Sequence, residues 1–108
     1  MSIDWSKMRT AEQLAAEQAL ADYEAWKAER QERVNAITVE VDGMAFDGDE
    51  LSQGRMARAV AAADQMTEIT EWTLADNTVA MVSVQTLKTA CRLAGEEQTR
   101  IWNEGRPA

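Results

Sequence analysis

The stretch "ITVEVDGMAF" (37–46) decides the fold. Ile37, Val39 and Val41 alternate with Thr38 and Glu40, a period of two that marks a half-buried strand. Asp42-Gly43 follows, the strongest short signal for a two-residue hairpin turn. With those two residues in the loop, Val41 faces Met44 and Val39 faces Phe46, all on one side. The pairing is self-consistent and predicts a β-hairpin.

A second stretch, "TEWTLADNTVAMVS" (70–83), repeats the plan. Placing Asp76-Asn77 in its turn sets Leu74 opposite Val79 and Trp72 opposite Met81. The two hairpins then offer one common apolar face of Val39, Val41, Met44, Phe46, Trp72, Leu74, Val79 and Met81. Each hairpin runs into a helix. Asp49 can cap the first, which is expected to reach about Met66 with Met56, Ala59, Val60 and Ala63 inward, although Gly54 weakens its first turns. Ser83 is a ready N-cap for the second, where Val84, Leu87, Cys91, Ala94 and Ile101 recur at helical spacing with Gln98 interrupting.

Ahead of these units lies one long helix. Thr10 and Gln13 form a T-x-x-Q capping box, with Asp4 a weaker start. From Ala11 to Asn35 there is no Gly or Pro, and good helix formers dominate. Its apolar stripe is thin. Leu20, Tyr23, Val34 and Ile37 suit a coiled-coil seam, but Lys27 and Arg30 stand between them. Such a helix either packs through Leu14, Ala21, Ala25 and Trp26 or waits for a partner.

The expected fold is therefore α+β: a long N-terminal helix, then two β-hairpin–helix units forming a small antiparallel sheet with helices on one face. The expected division is a helical arm over residues 1–36 and a hairpin–helix–hairpin–helix domain over 37–108. At 108 residues this is one modest core's worth of chain.

Charge narrows the choice of partner. Nineteen acidic residues against eleven basic ones leave a net charge of −8, which repels nucleic-acid backbones and anionic membranes. "MSIDWSKMRT" (1–10) has no apolar run, so neither a signal peptide nor a membrane span is expected. The single Cys91 allows no internal disulfide, which suits a reducing compartment.

The chemistry available is sparse. The chain has no histidine, which removes Ser-His and Cys-His nucleophile pairs and the commonest transition-metal ligand. Glu40, Asp42, Asp47, Asp49 and Glu50 crowd five carboxylates into eleven residues, but without the Gly and Glu spacing of an EF-hand. A turn, a helix cap and a solvated rim account for them. Cys91 falls on an apolar helix face without a base, and "DGDELSQG" (47–54) lacks the Lys and Ser/Thr of a phosphate loop. No catalytic residue, metal ligand or cofactor is expected. Trp5, Tyr23 and Trp26 remain as candidate protein-interaction residues, because aromatic side chains outside the repeated core make strong interface anchors.

Phe46-Asp47, Ser52, Arg55-Met56, the run Trp72 to Asn77 and the Ala94 to Gln98 run together resemble an uncharacterised domain of tailed phages and prophages. That domain occurs in tail-fibre-associated and tail-fibre-assembly proteins, and the match covers roughly residues 37–102. The resemblance implies a non-enzymatic structural or chaperone-like protein that binds a tail-fibre or tail component. It implies action in the bacterial host cytoplasm during assembly, or residence in the virion tail. The N-terminal helix would contact the fibre or self-associate. An alternative from charge alone is a small acidic inhibitor that mimics nucleic acid toward a host protein.

Overall fold

A computed structural model describes residues 10–107. Helix α1 (Ala11–Asn35) leads into strands β1 (Thr38–Val41) and β2 (Met44–Asp47) and helix α2 (Glu50–Ala62). Strands β3 (Ile69–Thr73) and β4 (Val79–Ser83) and helix α3 (Val84–Asn103) complete the chain. The class is α+β, with an N-terminal helix and two hairpin–helix units.

The first hairpin forms as its sequence dictates. Asp42 and Gly43 take φ of 52° and 78°, the left-handed pair a primed turn demands, and Val41 pairs with Met44 and Val39 with Phe46. Phe46 is fully buried.

The second hairpin departs by one residue on its return strand. Trp72 pairs with Ala80 and Thr73 with Val79, so Ala80 and Val82 turn inward while Val79 and Met81 are 57% and 65% exposed. The expected inward places of Val79 and Met81 were wrong, and the reason is the loop. It has three residues, Ala75-Asp76-Asn77, with only Asn77 at positive φ (67°). The Asn77 N–H donates to Leu74 O at 2.9 Å and the Leu74 N–H to Thr78 O at 2.7 Å, a type I turn closed by a bulge. Asp76 steers this outcome, because its carboxylate accepts the Thr78 N–H (3.0 Å) and hydroxyl (2.6 Å). An extra loop residue flips every side chain after it.

The hairpins also stay as two separate two-stranded sheets instead of the single sheet expected. Between them runs one backbone bond, from the Ala75 N–H to Ala45 O at 2.9 Å. Two-stranded sheets are marginal by themselves, so the helices must cover them. Phe46, Met56, Val82, Leu87 and Ala90 form the main core, with Trp72 and Leu74 packed against it. Full burial of Phe46, Met56 or Leu87 is worth about 1.5–3 kcal/mol each.

Helix ends follow their caps. Thr10 and Gln13 make the reciprocal capping box of α1, and Ser83 Oγ accepts the Thr86 N–H at 3.1 Å at the start of α3. Asp49 occupies the N-cap of α2 without a side-chain bond to the backbone; its carboxylate accepts from the Ser52 hydroxyl instead. Helix α2 stops at Ala62, short of the expected Met66, and Ala63 becomes its extended C-cap.

A second cluster joins α1 to the rest. Val34, Ile37, Ala94 and Ile101 are buried together, and the expected division between residues 36 and 37 runs through it. Here backbone comes close to helix. The Gly48 N–H donates to Ile37 O at 2.8 Å, and a Cβ on Gly48 would lie 2.6 Å from Ile37 Cγ2 and 2.9 Å from Ala94 Cβ. Only Gly48 fits, and only a small residue opposite it.

Gln98, which breaks the stripe of α3, is a fastener. The Gln53 amide donates to Gly48 O (2.8 Å) and Gln98 Oε1 (2.7 Å), and the Gln98 amide donates to Glu50 Oε1 (3.1 Å). This chain of bonds ties α2 to α3 where apolar contact ends.

Candidate protein-interaction surfaces

Two surfaces combine exposure with chemistry. The first is α1. Every residue from Ala11 to Asp22 is exposed, including Leu14 at 50% and Leu20 at 61%. Of the set Leu14, Ala21, Ala25 and Trp26, only Trp26 is covered, and then only in part. The described residues extend over 79 × 25 × 24 Å, elongated for their number.

The C-terminal end of α1 is held by stacked charges and rings. The Arg30 guanidinium lies 4.6 Å from the Trp26 ring centroid and 4.0 Å from that of Trp102 on α3. The Trp26 indole N–H donates to Glu104 O at 3.1 Å, and Arg33 meets the Glu104 carboxylate at 3.4 Å. Lys27 sits 5.3 Å over the Tyr23 ring, and Tyr23 and Trp26 are tilted neighbours at 5.6 Å. The two cations that interrupt the apolar stripe therefore stack on aromatic faces, each contact worth ~0.5–1 kcal/mol where exposed. Arg100 pairs with both Glu97 and Glu104; the bond from Arg100 holds the Glu97 carboxyl below its ordinary pKa and raises that of Arg100.

Of the three interaction candidates, Tyr23 and Trp26 are thus brought together where α1 leaves the core, with the Trp26 N–H committed to α3. Trp5 lies outside the described residues. Leu20 is the exposed anchor beside them, since Ala16, Leu20 and Tyr23 share one face at i, i+4, i+7 spacing.

The second surface is a cleft of about 360 Å³ between the hairpins. Asp47, Ser52 and Arg55 line it from the first unit, and Glu71, Trp72, Thr73 and Asn77 from the second. Among the described residues, the side chains of Asp47, Arg55 and Glu71 make no hydrogen bond or ion pair. Asp47, Ser52, Arg55 and Asn77 each carry part of the sequence resemblance while lying outside the buried core. Sequence spacing could not reveal that they converge, because α2 separates the two hairpins by more than twenty residues.

The crowded carboxylates do not converge. Asp42 is in the turn, Asp47 in the cleft, Asp49 at the cap, and Glu50 accepts from Gln98. Among the described residues, no three His, Cys, Asp or Glu side chains gather as a metal cluster would, and no helix is long and apolar enough to cross a membrane. Cys91 is half-buried with its thiol donating to Gln53 O at 3.5 Å, and burial pushes its pKa up. That is the opposite of nucleophile activation.

Comparison with the curated proteins and with the solved structures gives no match. Comparison with protein families gives one, over residues 15–106, which takes in most of α1 as well as both hairpin–helix units. The chain belongs to the family described as a domain of unknown function, DUF4376.

Proposed function

We propose that the chain is a non-enzymatic component of tailed-phage assembly, structural or chaperone-like, that binds a tail-fibre or tail protein through α1. The observation that carries this reading is the exposure of α1 from Ala11 to Asp22. A capped helix with uncovered leucines, held among the described residues at one end only, is the form of a helix-in-groove ligand. The resemblance to tail-fibre-associated domains supplies the class of partner. The protein acts in the host cytoplasm during assembly.

Co-purification with the tail-fibre protein tests the reading. Leu20→Ser lies in the exposed stripe and should leave the fold intact while cutting binding roughly thirtyfold, the loss of about 2 kcal/mol expected of an interface anchor. Binding that ignores Leu20 and Tyr23 but collapses with added salt would overturn it in favour of acidic mimicry. Mass spectrometry of purified virions then separates a component, present at fixed stoichiometry, from a chaperone, which is absent.

A further inference from the structure

The cleft between the hairpins is also lined by unused main chain. In an antiparallel ladder, residue pairs alternate between those that exchange backbone bonds and those whose N–H and C=O point outward. The Leu74 to Thr78 bond sets this phase in the second hairpin. Counting back through the register, Trp72–Ala80 and Thr70–Val82 bond inward, so Glu71 and Thr73 direct their N–H and C=O groups away from β4. Ala75, next in the same phase, already reaches outward to Ala45 O of β2. In the first hairpin Val41–Met44 closes the turn, so Ala45 and Asp47 face outward too. The free edges of β2 and β3 thus run antiparallel, meet at Ala45–Ala75, and flank the cleft with Asp47 on one wall and Glu71 and Thr73 on the other.

We propose that this cleft docks an extended basic segment of a partner protein, which adds to the free edge of β3 as a further strand. The proposal rests on the protein-binding reading above and adds a second contact to it. Main-chain bonds at Glu71 and Thr73 supply the grip, as in strand addition to other open sheet edges. Charge selects the guest. Asp47 and Glu71 outnumber Arg55 in the cleft, and all three are without an intrachain partner among the described residues. An added strand carries alternate side chains on one face, so basic residues at every second position meet the two carboxylates together. The chain's net charge of −8 steers such a segment in and repels an acidic one, including a second copy of this chain.

The test uses the full chain, isotope-labelled, with the peptide acetyl-Val-Lys-Val-Lys-Val-amide as probe. Its acidic twin, with Glu for Lys, and an alternately N-methylated version serve as controls. In the protein alone the Glu71 and Thr73 amides should exchange with solvent faster than those of Thr70 and Trp72. The basic peptide should slow the first pair and shift their NMR signals, and neither control should. Asp47→Asn with Glu71→Gln, both exposed positions, should weaken the peptide roughly tenfold while preserving the spectrum of the core. Leu20→Ser should leave peptide binding unchanged, so the arm and the cleft are judged separately. Protected Glu71 and Thr73 amides in the free protein, equal binding of the acidic twin, or shifts that map elsewhere would overturn the proposal. So would the absence of any shift at millimolar peptide.

Discussion

Arg30 and Trp102 are separated by most of the chain, yet the guanidinium of one lies 4.0 Å from the ring centroid of the other. The Trp26 ring centroid lies 4.6 Å from the same guanidinium. A cation shared by two indoles fastens α1 to α3 beyond the point where Val34 and Ile101 are buried. Arg30→Ala should lower unfolding stability by about 1–2 kcal/mol, two such contacts' worth, and Arg30→Lys should recover only part because a strongly hydrated ammonium lacks the planar face that a guanidinium offers to aromatic rings. Urea unfolding measures both; an Arg30→Lys variant as stable as the parent would show that charge alone suffices.

Gly48 should be intolerant for a different reason. An alanine there brings its Cβ within 3 Å of both Ile37 and Ala94, forcing β2 and α3 apart. The expected cost is about 1–3 kcal/mol, typical of overpacking. Ala94→Gly should relieve the Gly48→Ala variant in part, since the tighter contact with Ile37 Cγ2 stays, while destabilising the parent, and a double-mutant cycle by thermal unfolding reads the coupling.

Truncation should divide α1 into two parts. Removing residues 1–22 deletes only exposed helix among the described residues and should leave cooperative melting of the remainder nearly unchanged. Removing 1–36 also deletes the fully buried Val34 and uncovers Ile37, Ala94 and Ile101, which should lower the melting temperature markedly. Calorimetry of the two truncated chains decides it; equal melting would mean that the Val34 cluster contributes little.

The loop of the second hairpin should respond to acid. Hydrogen bonds from the Thr78 side chain and then its backbone hold the Asp76 carboxyl below its ordinary value of 3.8. A depressed folded pKa means the contribution is complete above the unfolded value and fades as pH falls through the folded one. Asp76→Asn keeps an acceptor oxygen but cannot titrate, so the stability difference between parent and variant should shrink below pH ~4 and stay flat above it. Parallel urea titrations across that range measure the difference.

Much of this fold could be read from local chemistry. Asp42-Gly43, the Thr10–Gln13 box and the Ser83 cap act within four residues, and each element they govern stands where expected. The register of β4 differs from the expected one because Asp76-Asn77 suggests a two-residue turn where the loop has three residues. The cue lay two positions on: Thr78 can bond back to Asp76, which favours the longer loop, and Val82 then continues the inward line to Val84. Lys27 over Tyr23 and Arg30 over Trp26 are neighbours along one helix and open to inspection, whereas Trp102 completes the stack only through tertiary structure. The cleft was hidden for the same reason, since Asp47 and Arg55 meet Glu71 and Asn77 only after α2 has folded back.

The uncovered half of α1 has a thermal consequence. From Ala11 to Asp22 no side chain is shielded by the core, so this part depends on its capping box, its alanines and the rigid stem that follows. A helical stretch that short is marginal in water without tertiary support. Warming should therefore unwind it from the Thr10 end in a gradual, sloping loss of helical signal, well before the sharp transition of the rest. A partner that clasps Leu20 would abolish the slope and leave a single step, which makes the shape of the melting curve a direct gauge of occupancy.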